Sequence, residues 1–400
     1  MRKKISVRDL RMGMYVDEIC GNWIDHPFWK SSLKIRSEKE LSELQQSRIS
    51  EVWIDTSKGP DVEKRMEEQK AGLTNEPSRE FDAVETTAVM VSLDEELIRA
   101  EAIIHRAKQR VASMFDQARL GQALPAGEMM SLVDEIYQSV SRNSGALISL
   151  VRLKDVDNYT YLHCVAVCVL MLALGKQMKI HGDILKSLGL AGLLHDIGKA
   201  AVPQDVLNKP GRLTDEEFEM IKVHALRGWE ILQQVYGADD IALDVCRHHH
   251  ERMDGTGYPD RISGETLTLH ARMGAICDIY DAVTSDRCYK KAWLPTDALR
   301  KMAEWQKGHL DERVFQCFIK TVGIYPVGTL LKLKSGRLAV VIEQTERSLL
   351  EPVVRVFFST RSNAPIAREQ IHIGLSQDAI ESVEDPDKWG LDLKKMAGVE

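Results

Sequence analysis

The sequence lacks a long hydrophobic run, an excess of basic residues and any CxxC pair of cysteines. Its longest apolar stretch, residues 164–174, is too short to cross a bilayer and predicts a buried helix. The net charge of −7, from 53 basic and 60 acidic side chains, argues against a broad surface for DNA or RNA. It does not exclude a small phosphate ligand, because a metal site can reverse the local potential.

The seven cysteines are scattered, and their odd number leaves at least one unpaired. Reduced thiols in a cytosol fit this pattern better than a disulfide framework. The N-terminal sequence MRKKISVRDL has basic residues but no apolar core of a secretion signal behind them. These absences predict a cytoplasmic protein, and 400 residues suffice for two or three domains.

The periodicity of apolar residues changes along the chain and predicts a multidomain fold. Strand-like runs at residues 4–7, 14–16 and 51–55, with a helical stretch at Glu38 to Gln46, predict a small α/β or β-rich N-terminal module. Residues 57–85 are polar and predict a flexible connection.

The remainder is predicted to be mainly helical and to end in strands. Two long helices are predicted at residues 94–120 and 129–153, and residues 155–322 are helical apart from short loops. The predicted strands of the C-terminal segment are residues 329–333, 338–343 and 352–358. Ser335-Gly336 predicts a hairpin turn, and an acidic, loosely held tail is expected after the last strand.

Five histidines and two aspartates recur through the helical region about one helix and one loop apart. They are His163, His195, Asp196, His224, His249, His250 and Asp278. A single histidine on an apolar face is more often a hydrogen-bonded core residue than a metal ligand. The recurrence of imidazole and carboxylate together is what favours a metal site.

The run LLHDIGK, residues 193–199, places His195 and Asp196 at an apolar helix end. A charged aspartate there is costly unless it is paired or bound to a cation. Adjacent helical residues point about 100° apart, so the pair would touch one metal from two sides or bridge two. Such ligands suit Mn, Fe, Ni or similar ions better than a closed zinc site, and no cysteine completes a thiolate site.

The segment HHERMDGTGYP, residues 249–259, follows the two consecutive imidazoles with a tight loop. Its glycines and proline fix a non-helical path. Tyr258 brings an aromatic face and a hydroxyl near the histidines, which suits stacking on a base. A plain helix-ending turn would explain DGTGYP alone, but explains it poorly directly after His-His.

Residues 157–290 resemble the HD-GYP domain, a branch of the HD phosphohydrolase superfamily. The resemblance lies in YTYLHC, LLHDIGK, KVHALRG, HHERMDGTGYP and DIYDAVTSDRCYK, in that order. It implies a mainly α-helical HD-type domain that hydrolyses cyclic di-GMP to pGpG or GMP with divalent metal ions. The implied division is an N-terminal regulatory module at 1–85, a helical linker at 86–140, the catalytic domain at 141–325 and a β-rich extension at 326–400.

The resemblance also implies a ligand set. One metal would be held by His163, His195, Asp196 and Asp278, and the second by His224, His249 and His250, with Asp196 bridging. Iron or manganese is expected, with nickel, magnesium or cobalt as alternatives. Lys199 would contact the scissile phosphate and assist catalysis beside Asp196. Further expected substrate contacts are Gly257, Tyr258, Pro259, Arg287 and Lys290, although ordinary solvated cations explain the last two equally well.

Some positions depart from the family pattern. Tyr159 stands where three-metal relatives have a glutamate, which predicts two metals here. Cys164, Met253 and Cys288 replace a common serine, tryptophan and proline, and none of them is a ligand position. Asp281 is expected to lie behind the ligands rather than among them.

The N-terminal segment resembles, in DLRMGMYV and EVWIDTSKG, an uncharacterised module that often precedes HD-GYP domains. Three functions other than cyclic di-GMP hydrolysis stay open at this point. They are hydrolysis of 3′,3′-cyclic GMP-AMP, a catalytically silent receptor or adaptor, and a general HD nucleotidase, which the DGTGYP loop disfavours. Expected partners are the cyclic dinucleotide, a GGDEF-domain protein and a second copy of the chain.

Overall fold

A computed structural model describes residues 2–20, 33–35, 41, 51–60, 90–152, 159–234, 239–286, 291–306, 308–345 and 347–390 of the chain. The chain divides into two compact units, Met1–Thr87 and Ala88–Glu400. The helix predicted at residues 38–46 lies outside the described residues except for Leu41, which is helical.

The first unit contains an antiparallel sheet, as the strand-like runs predict. Its strands are Arg2–Ser6 (β1), Tyr15–Cys20 (β2), Leu33–Lys34 (β3) and Glu51–Asp55 (β4), in the order β1-β4-β2-β3. Alternate residues of β4 face one side, so that Val52 and Ile54 are fully buried with Val16 of β2. This small β-rich module confirms the predicted class of the N-terminal segment.

The second unit is mostly helical, which confirms the predicted fold class. Its helices are Leu93–Arg119 (α1), Ala126–Arg152 (α2), Tyr159–Gln177 (α3), Gly182–Leu194 (α4), Gln204–Leu207 (α5), Asp215–Lys222 (α6), His224–Gln233 (α7), Asp240–His248 (α8), Leu269–Thr284 (α9), Pro295–Trp305 (α10) and Glu312–Val322 (α11).

Helix α3 is apolar on all sides, as expected of a helix surrounded by others. Residues 160–177 are long and apolar enough for a membrane span by composition, but 78% of this stretch is buried inside the unit. Helices α1, α2 and α4 pack against it and share one hydrophobic core with it. Gly192 of α4 lies so close that a Cβ atom there would stand 2.8 Å from the Cα of Cys168.

The two long helices differ in regularity. Helix α1 begins with a capping box, in which Ser92 accepts from the N–H of Glu95 and Glu95 accepts from the N–H of Ser92. Helix α2 was expected to be continuous but is interrupted at Asn143, where φ is −161° and ψ is 101°. The Asn143 side chain donates to the carbonyl of Val91 and accepts from the N–H of Gly145, and these bonds compensate for the break.

The chain continues into a five-stranded antiparallel sheet. Its strands are Leu330–Leu333 (β5), Arg337–Glu343 (β6), Val353–Ser359 (β7), Ala364–His372 (β8) and Ile380–Val383 (β9), in the order β8-β7-β6-β5-β9. The predicted turn at Ser335-Gly336 connects β5 and β6, and Gly336 has a φ of +80°. The expected loose tail was wrong for β8 and β9, which form the two edges of the sheet. Edge strands often carry charged, exposed side chains, as β8 does, so their sequences resemble polar tails.

Candidate metal centre

The predicted ligands come from five separate helical segments and meet inside the second unit. His163 lies on α3, His195 directly follows α4, His224 begins α7, His249 directly follows α8, and Asp278 lies on α9. All five are 7% exposed or less. Polar side chains buried in this way need partners, so their convergence demands a chemical explanation.

The His195-Asp196 pair stands where the α-helix ends. His195 keeps helical angles, whereas Asp196 has φ −102° and ψ 7° and begins a 3-10 helix at Ile197–Ala201. The two side chains are therefore not simply neighbours on one helix, as the sequence suggested. Gly198 packs against the first turn of α7, where a Cβ atom would overlap the carbonyl oxygen of His224. A glycine is needed for α7 to come this close to the 3-10 turn.

The donor atoms form two groups. In the first group, His163, His195 and Asp278, the ligating atoms all lie within 4.8 Å of one another. The closest approach is from His163 Nε2 to Asp278 Oδ1, at 3.0 Å, and His195 Nε2 lies 3.9 Å from the same oxygen. In the second group, His224, His249 and His250, the donor atoms also lie within 4.8 Å of one another.

Asp196 lies between the two groups and turns one oxygen towards each. Its Oδ2 is 3.5 Å from His163 Nε2 and 3.3 Å from His195 Nε2. Its Oδ1 is 3.4 Å from His224 Nε2 and 3.9 Å from His249 Nε2. Asp278 also reaches both groups, because its Oδ2 lies 3.8 Å from His250 Nδ1.

Most of the imidazoles are held at Nδ1, so that Nε2 faces the centre. His195 Nδ1 is 2.8 Å from the carbonyl of Gly192, and His224 Nδ1 is 2.6 Å from that of Ile221. His249 Nδ1 is 3.0 Å from two carbonyls of α8. His163 Nδ1 is 2.6 Å from Asp281 Oδ2, which places Asp281 behind the ligand as expected. A carbonyl or carboxylate behind each ring is the usual arrangement around a metal-binding histidine.

Burial and neighbouring charges set the ionisation of the second group and of Asp196. Burial lowers the pKa of His224 to about 4 and that of His250 to about 3, and it also lowers the pKa of His249. These rings are therefore neutral near pH 7. Burial opposes ionisation of Asp196, but the Lys199 ammonium holds the pKa of that carboxyl well below its usual range.

The donor set fits divalent metal ions. His224 Nε2 and His249 Nε2 lie 3.3 Å apart. Because both rings are neutral and donate through Nδ1, both Nε2 atoms carry lone pairs that face each other. Among the residues that the structure describes, His195 Nε2 and Asp196 Oδ1 are buried without a hydrogen-bond partner. A cation between these atoms would relieve the repulsion and satisfy the orphaned atoms.

The loop at residues 254–261, called here the GYP loop, brings Tyr258 to the second group. The Tyr258 ring stacks on the imidazole of His250, with centroids 4.7 Å apart and planes 29° apart. Gly257 and Pro259 flank it, and the Tyr258-Pro259 peptide is cis. Lys199 contacts the Asp196 oxygen that faces the first group, with its Nζ 2.5 Å from Oδ2. The predicted contacts Arg287 and Lys290 lie outside the described residues.

Three residues near the centre were not anticipated as part of it. The Cys164 thiol lies within 4.8 Å of donor atoms of His195 and Asp196. Lys222 places its Nζ 5.7 Å from the ring centroid of Tyr258. Glu251 is buried beneath the GYP loop. The only signal for Cys164 and Glu251 was their position beside His163 and His250 in the chain.

Comparisons with known proteins match two family models to the chain. Residues 136–314 match the family model of the HD domain, and residues 2–129 match a domain of unknown function, DUF3391. The chain is 48% identical to the cyclic di-GMP phosphodiesterase PA4108 of Pseudomonas aeruginosa, over 97% of this chain and 94% of that protein.

A second relative matches a smaller part of the chain, and a solved structure matches most of it at lower identity. The 3′3′-cGAMP-specific phosphodiesterase 1 of Vibrio cholerae is 34% identical over 43% of this chain and 41% of its own length. The structure of the HDG"Y"P protein Bd1817 from Bdellovibrio bacteriovorus aligns with 80% of this chain and 99% of its own, at 17% identity and a TM-score of 0.47. The near full-length match to the Pseudomonas protein shows that the chain belongs to the HD-GYP branch of the HD phosphohydrolase superfamily.

Proposed function

We propose that this protein is a phosphodiesterase that hydrolyses cyclic di-GMP at a centre of two divalent metal ions. The observation that carries the proposal is the position of Asp196, whose two oxygens face two separate groups of buried imidazoles. A carboxylate placed to bridge two ions suits a two-metal hydrolytic site.

The proposed ligands follow the two groups. His163, His195 and Asp278 would hold one ion, His224, His249 and His250 the other, and Asp196 would bridge them. Iron or manganese is the proposed metal, with nickel, magnesium or cobalt as alternatives. When bound, the ions would lower the pKa of an attacking water and neutralise negative charge on the phosphate.

Lys199 is proposed as the catalytic cation of the chain itself. Burial opposes its protonation, but the neighbouring Asp196 carboxylate raises the pKa of the ammonium, so that it is charged at neutral pH. Its side chain is 20% exposed, so Lys199 is not sealed inside the core. It would contact an oxygen of the scissile phosphate and donate a proton to the departing oxygen.

The GYP loop would form one wall of the substrate site through Gly257, Tyr258 and Pro259. Arg287 and Lys290 complete the proposed set of phosphate contacts. The catalytic function is assigned to residues 141–325, with 1–85 as a regulatory module, 86–140 as a linker and 326–400 as an extension. Hydrolysis would open the ring to pGpG, and a second cut would give GMP.

The choice of cyclic di-GMP rests on the relative that matches nearly the whole chain, which is a cyclic di-GMP phosphodiesterase. Hydrolysis of 3′,3′-cyclic GMP-AMP is the second candidate, because a relative that matches 43% of this chain is specific for that nucleotide. A silent receptor is disfavoured, since such a protein needs no full set of seven metal-binding side chains. A GGDEF-domain partner, a homodimer and a cytoplasmic location are further parts of the proposal that rest on the family resemblance and the composition.

The test begins with protein purified without chelators and with measurement of its bound metals. Turnover of cyclic di-GMP and of 3′,3′-cyclic GMP-AMP is then followed by chromatography, beside the Asp196→Ala variant. We expect cyclic di-GMP to be converted to a linear product by the wild type and not by the variant.

Each contrary outcome has a distinct meaning. Absence of turnover of either nucleotide by metal-loaded protein would refute the enzymatic proposal. Faster turnover of cyclic GMP-AMP would shift the substrate to the second candidate. Equal turnover by the Asp196→Ala variant would refute the assignment of the centre.

A further inference from the structure

We propose that Glu251 is a positioning residue, whose buried carboxylate fixes the GYP loop so that Tyr258 stays stacked on His250. This inference rests on the proposed function, since it assigns the loop to the substrate site. Glu251 touches neither of the two groups of donor atoms by any contact that the structure describes. It acts through the backbone of the loop.

The carboxylate of Glu251 anchors the returning end of the loop. Its side chain is 4% exposed, and its Oε1 accepts hydrogen bonds from the backbone N–H groups of Asp260, at 2.6 Å, and Arg261, at 2.8 Å. Hydrogen bonds from N–H groups to a charged acceptor are stronger than those between neutral partners. Two consecutive amides are thus held by one oxygen at the point where the loop ends.

The loop also lies directly on the backbone that carries the metal ligands. A Cβ atom on Gly257 would stand 2.5 Å from the Cα of Glu251 and 2.6 Å from the carbonyl oxygen of His250. No side chain fits there, so glycine permits the close approach. The N–H of Tyr258 donates to that same carbonyl, at 3.3 Å. The loop is therefore fixed at two points, one on each side of Pro259.

These two points determine where the Tyr258 ring lies. Tyr258 precedes the anchored amides by two and three residues, and its ring packs at 4.7 Å on the His250 imidazole. The stacking holds both the ring of a proposed ligand and the phenol that would contact the substrate. If the carboxylate is removed, the loop loses the anchor at its C-terminal end and the tyrosine is no longer held over the imidazole.

A second polar side chain, that of Arg272, lies near Glu251. Glu251 and Arg272 line the same small cavity behind the loop. Arg272 is fixed there, since it donates to Asp311 Oδ2 at 2.9 Å and to the carbonyl of Gly264 at 3.0 Å. A buried carboxylate needs hydrogen bonds, and the two amides supply them at Oε1, whereas Oε2 has no hydrogen-bond partner among the residues that the structure describes. An apolar residue at position 251 would leave both amides without this acceptor.

The test compares Glu251→Ala with Glu251→Gln and with the control Glu265→Ala. Glu265 is 94% exposed and lies just beyond the same loop. We expect Glu251→Ala to raise KM for cyclic di-GMP about tenfold, with a smaller effect on kcat and an unchanged metal content, because two hydrogen bonds to a charged acceptor are lost. Glu251→Gln should stay within about twofold of wild type, because its amide oxygen still accepts from both N–H groups.

A double-mutant cycle with Tyr258→Ala separates positioning from general stability. If Glu251 acts through the tyrosine, Glu251→Ala changes KM no further once Tyr258→Ala has removed the ring. Fully additive effects would overturn the proposal. So would a Glu251→Gln variant that is as impaired as Glu251→Ala.

Limited proteolysis with trypsin tests the anchor without any reference to turnover. The exposed Arg252 and Arg261 lie before and within the loop, and cleavage there reports how often it opens. We expect faster cleavage at Arg261 in Glu251→Ala, and wild-type rates in Glu251→Gln and Glu265→Ala. A wild-type rate in Glu251→Ala would overturn the positioning role. Absence of wild-type turnover would refute the proposed function and leave this comparison valid.

Discussion

Glu96 and Asp196 are both buried carboxylates of the helical unit, but their oxygens have different surroundings. Glu96 on α1 is fully buried, and Arg142 on α2 donates to both of its oxygens at 2.7 Å. Arg99 adds a third bond at 3.3 Å. Asp196 is 1% exposed, accepts from Lys199 on Oδ2, and has no hydrogen-bond partner on Oδ1 in the part of the chain that the structure describes.

The difference indicates two uses of a buried acid. Both oxygens of Glu96 accept from arginines, and the two bonds from Arg142 join helices α1 and α2, which is a structural task. The free oxygen of Asp196 faces two neutral imidazoles that present lone pairs, which is an arrangement for a cation. Burial and charge alone do not distinguish the structural carboxylate of Glu96 from the carboxylate of Asp196. The hydrogen-bond partners of each oxygen do distinguish them.

The largest expected effect follows from removal of the charge at the metal centre. Asp196→Asn should lower turnover of cyclic di-GMP by at least about 1,000-fold, because the carboxylate would bridge both ions and the amide nitrogen cannot bind a cation. Steady-state assays at saturating substrate measure this loss. The matched change Glu96→Gln should keep kcat within about twofold of wild type. A comparable loss of kcat in Glu96→Gln would erase the distinction between the two acids.

A smaller loss of metal affinity or activity is expected for substitutions of Asp281, whose carboxylate contacts Nδ1 of His163. Asp281→Ala removes the 2.6 Å contact with His163 Nδ1 and should weaken metal affinity or activity by roughly 10- to 100-fold. Asp281→Asn should lose less, because its amide oxygen still accepts from the ring. Competition with a chelator of known affinity measures the change. Wild-type affinity in Asp281→Ala would show that His163 is oriented by other contacts.

Glu96→Gln should affect stability rather than catalysis. Burial opposes ionisation of Glu96, but the hydrogen bond from Arg142 lowers the pKa of the carboxyl below its usual value of 4.5. We expect a loss of about 2 kcal/mol in unfolding free energy at pH 7, below the range for fully buried pairs because Arg142 is 25% exposed.

The direction in which this stability difference changes with pH follows from the depressed pKa of Glu96. Because the folded-state pKa of Glu96 is depressed, its contribution is complete above the ordinary pKa of 4.5 and is lost as the pH falls through the folded-state value. Urea unfolding of wild type and Glu96→Gln at pH 7, 5 and 4 should show a stability gap that narrows towards the acid side. A gap that widens on acidification would contradict the assigned ion pair.

The smallest change in unfolding free energy is expected for an exposed acid on the same helix as Glu96. Asp94 is 54% exposed and pairs with Arg355 of β7 at 2.7 Å. Asp94→Asn should change the unfolding free energy by less than about 1 kcal/mol, because solvent and salt screen such pairs. Urea unfolding at low and high ionic strength checks this. A loss as large as that of Glu96→Gln would mean that burial does not determine the strength of these pairs.

Several features of the site could be read from the chain, and others could not. The seven proposed metal ligands were identifiable because imidazoles and carboxylates recur inside apolar helices, where each is costly without a partner. The approach of the Asp278 carboxylate to His250 could not be predicted, because it depends on how α9 faces the end of α8. The role of Glu251 was hidden for a similar reason, since its partners are backbone amides, which leave no mark in the sequence.

The fold shows the same limit. The helices and the β5–β6 hairpin follow from local periodicity and from a glycine at the turn. The strand β8 contains Arg368, Glu369 and Gln370 and is mostly exposed, so its pattern lacks the alternation that marks a buried strand. Its place in the sheet depends on pairing with β7, a contact that local sequence does not encode. The break at Asn143 likewise depends on a distant carbonyl, that of Val91.

The most direct measurement of the central claim is the number of metal ions bound per chain in three proteins prepared side by side. Wild type, Asp196→Asn and Glu96→Gln would be loaded with manganese, freed of excess ion and analysed by elemental mass spectrometry. We expect two ions per chain in wild type and in Glu96→Gln, and fewer in Asp196→Asn. Two ions in Asp196→Asn, or none in wild type, would contradict that claim.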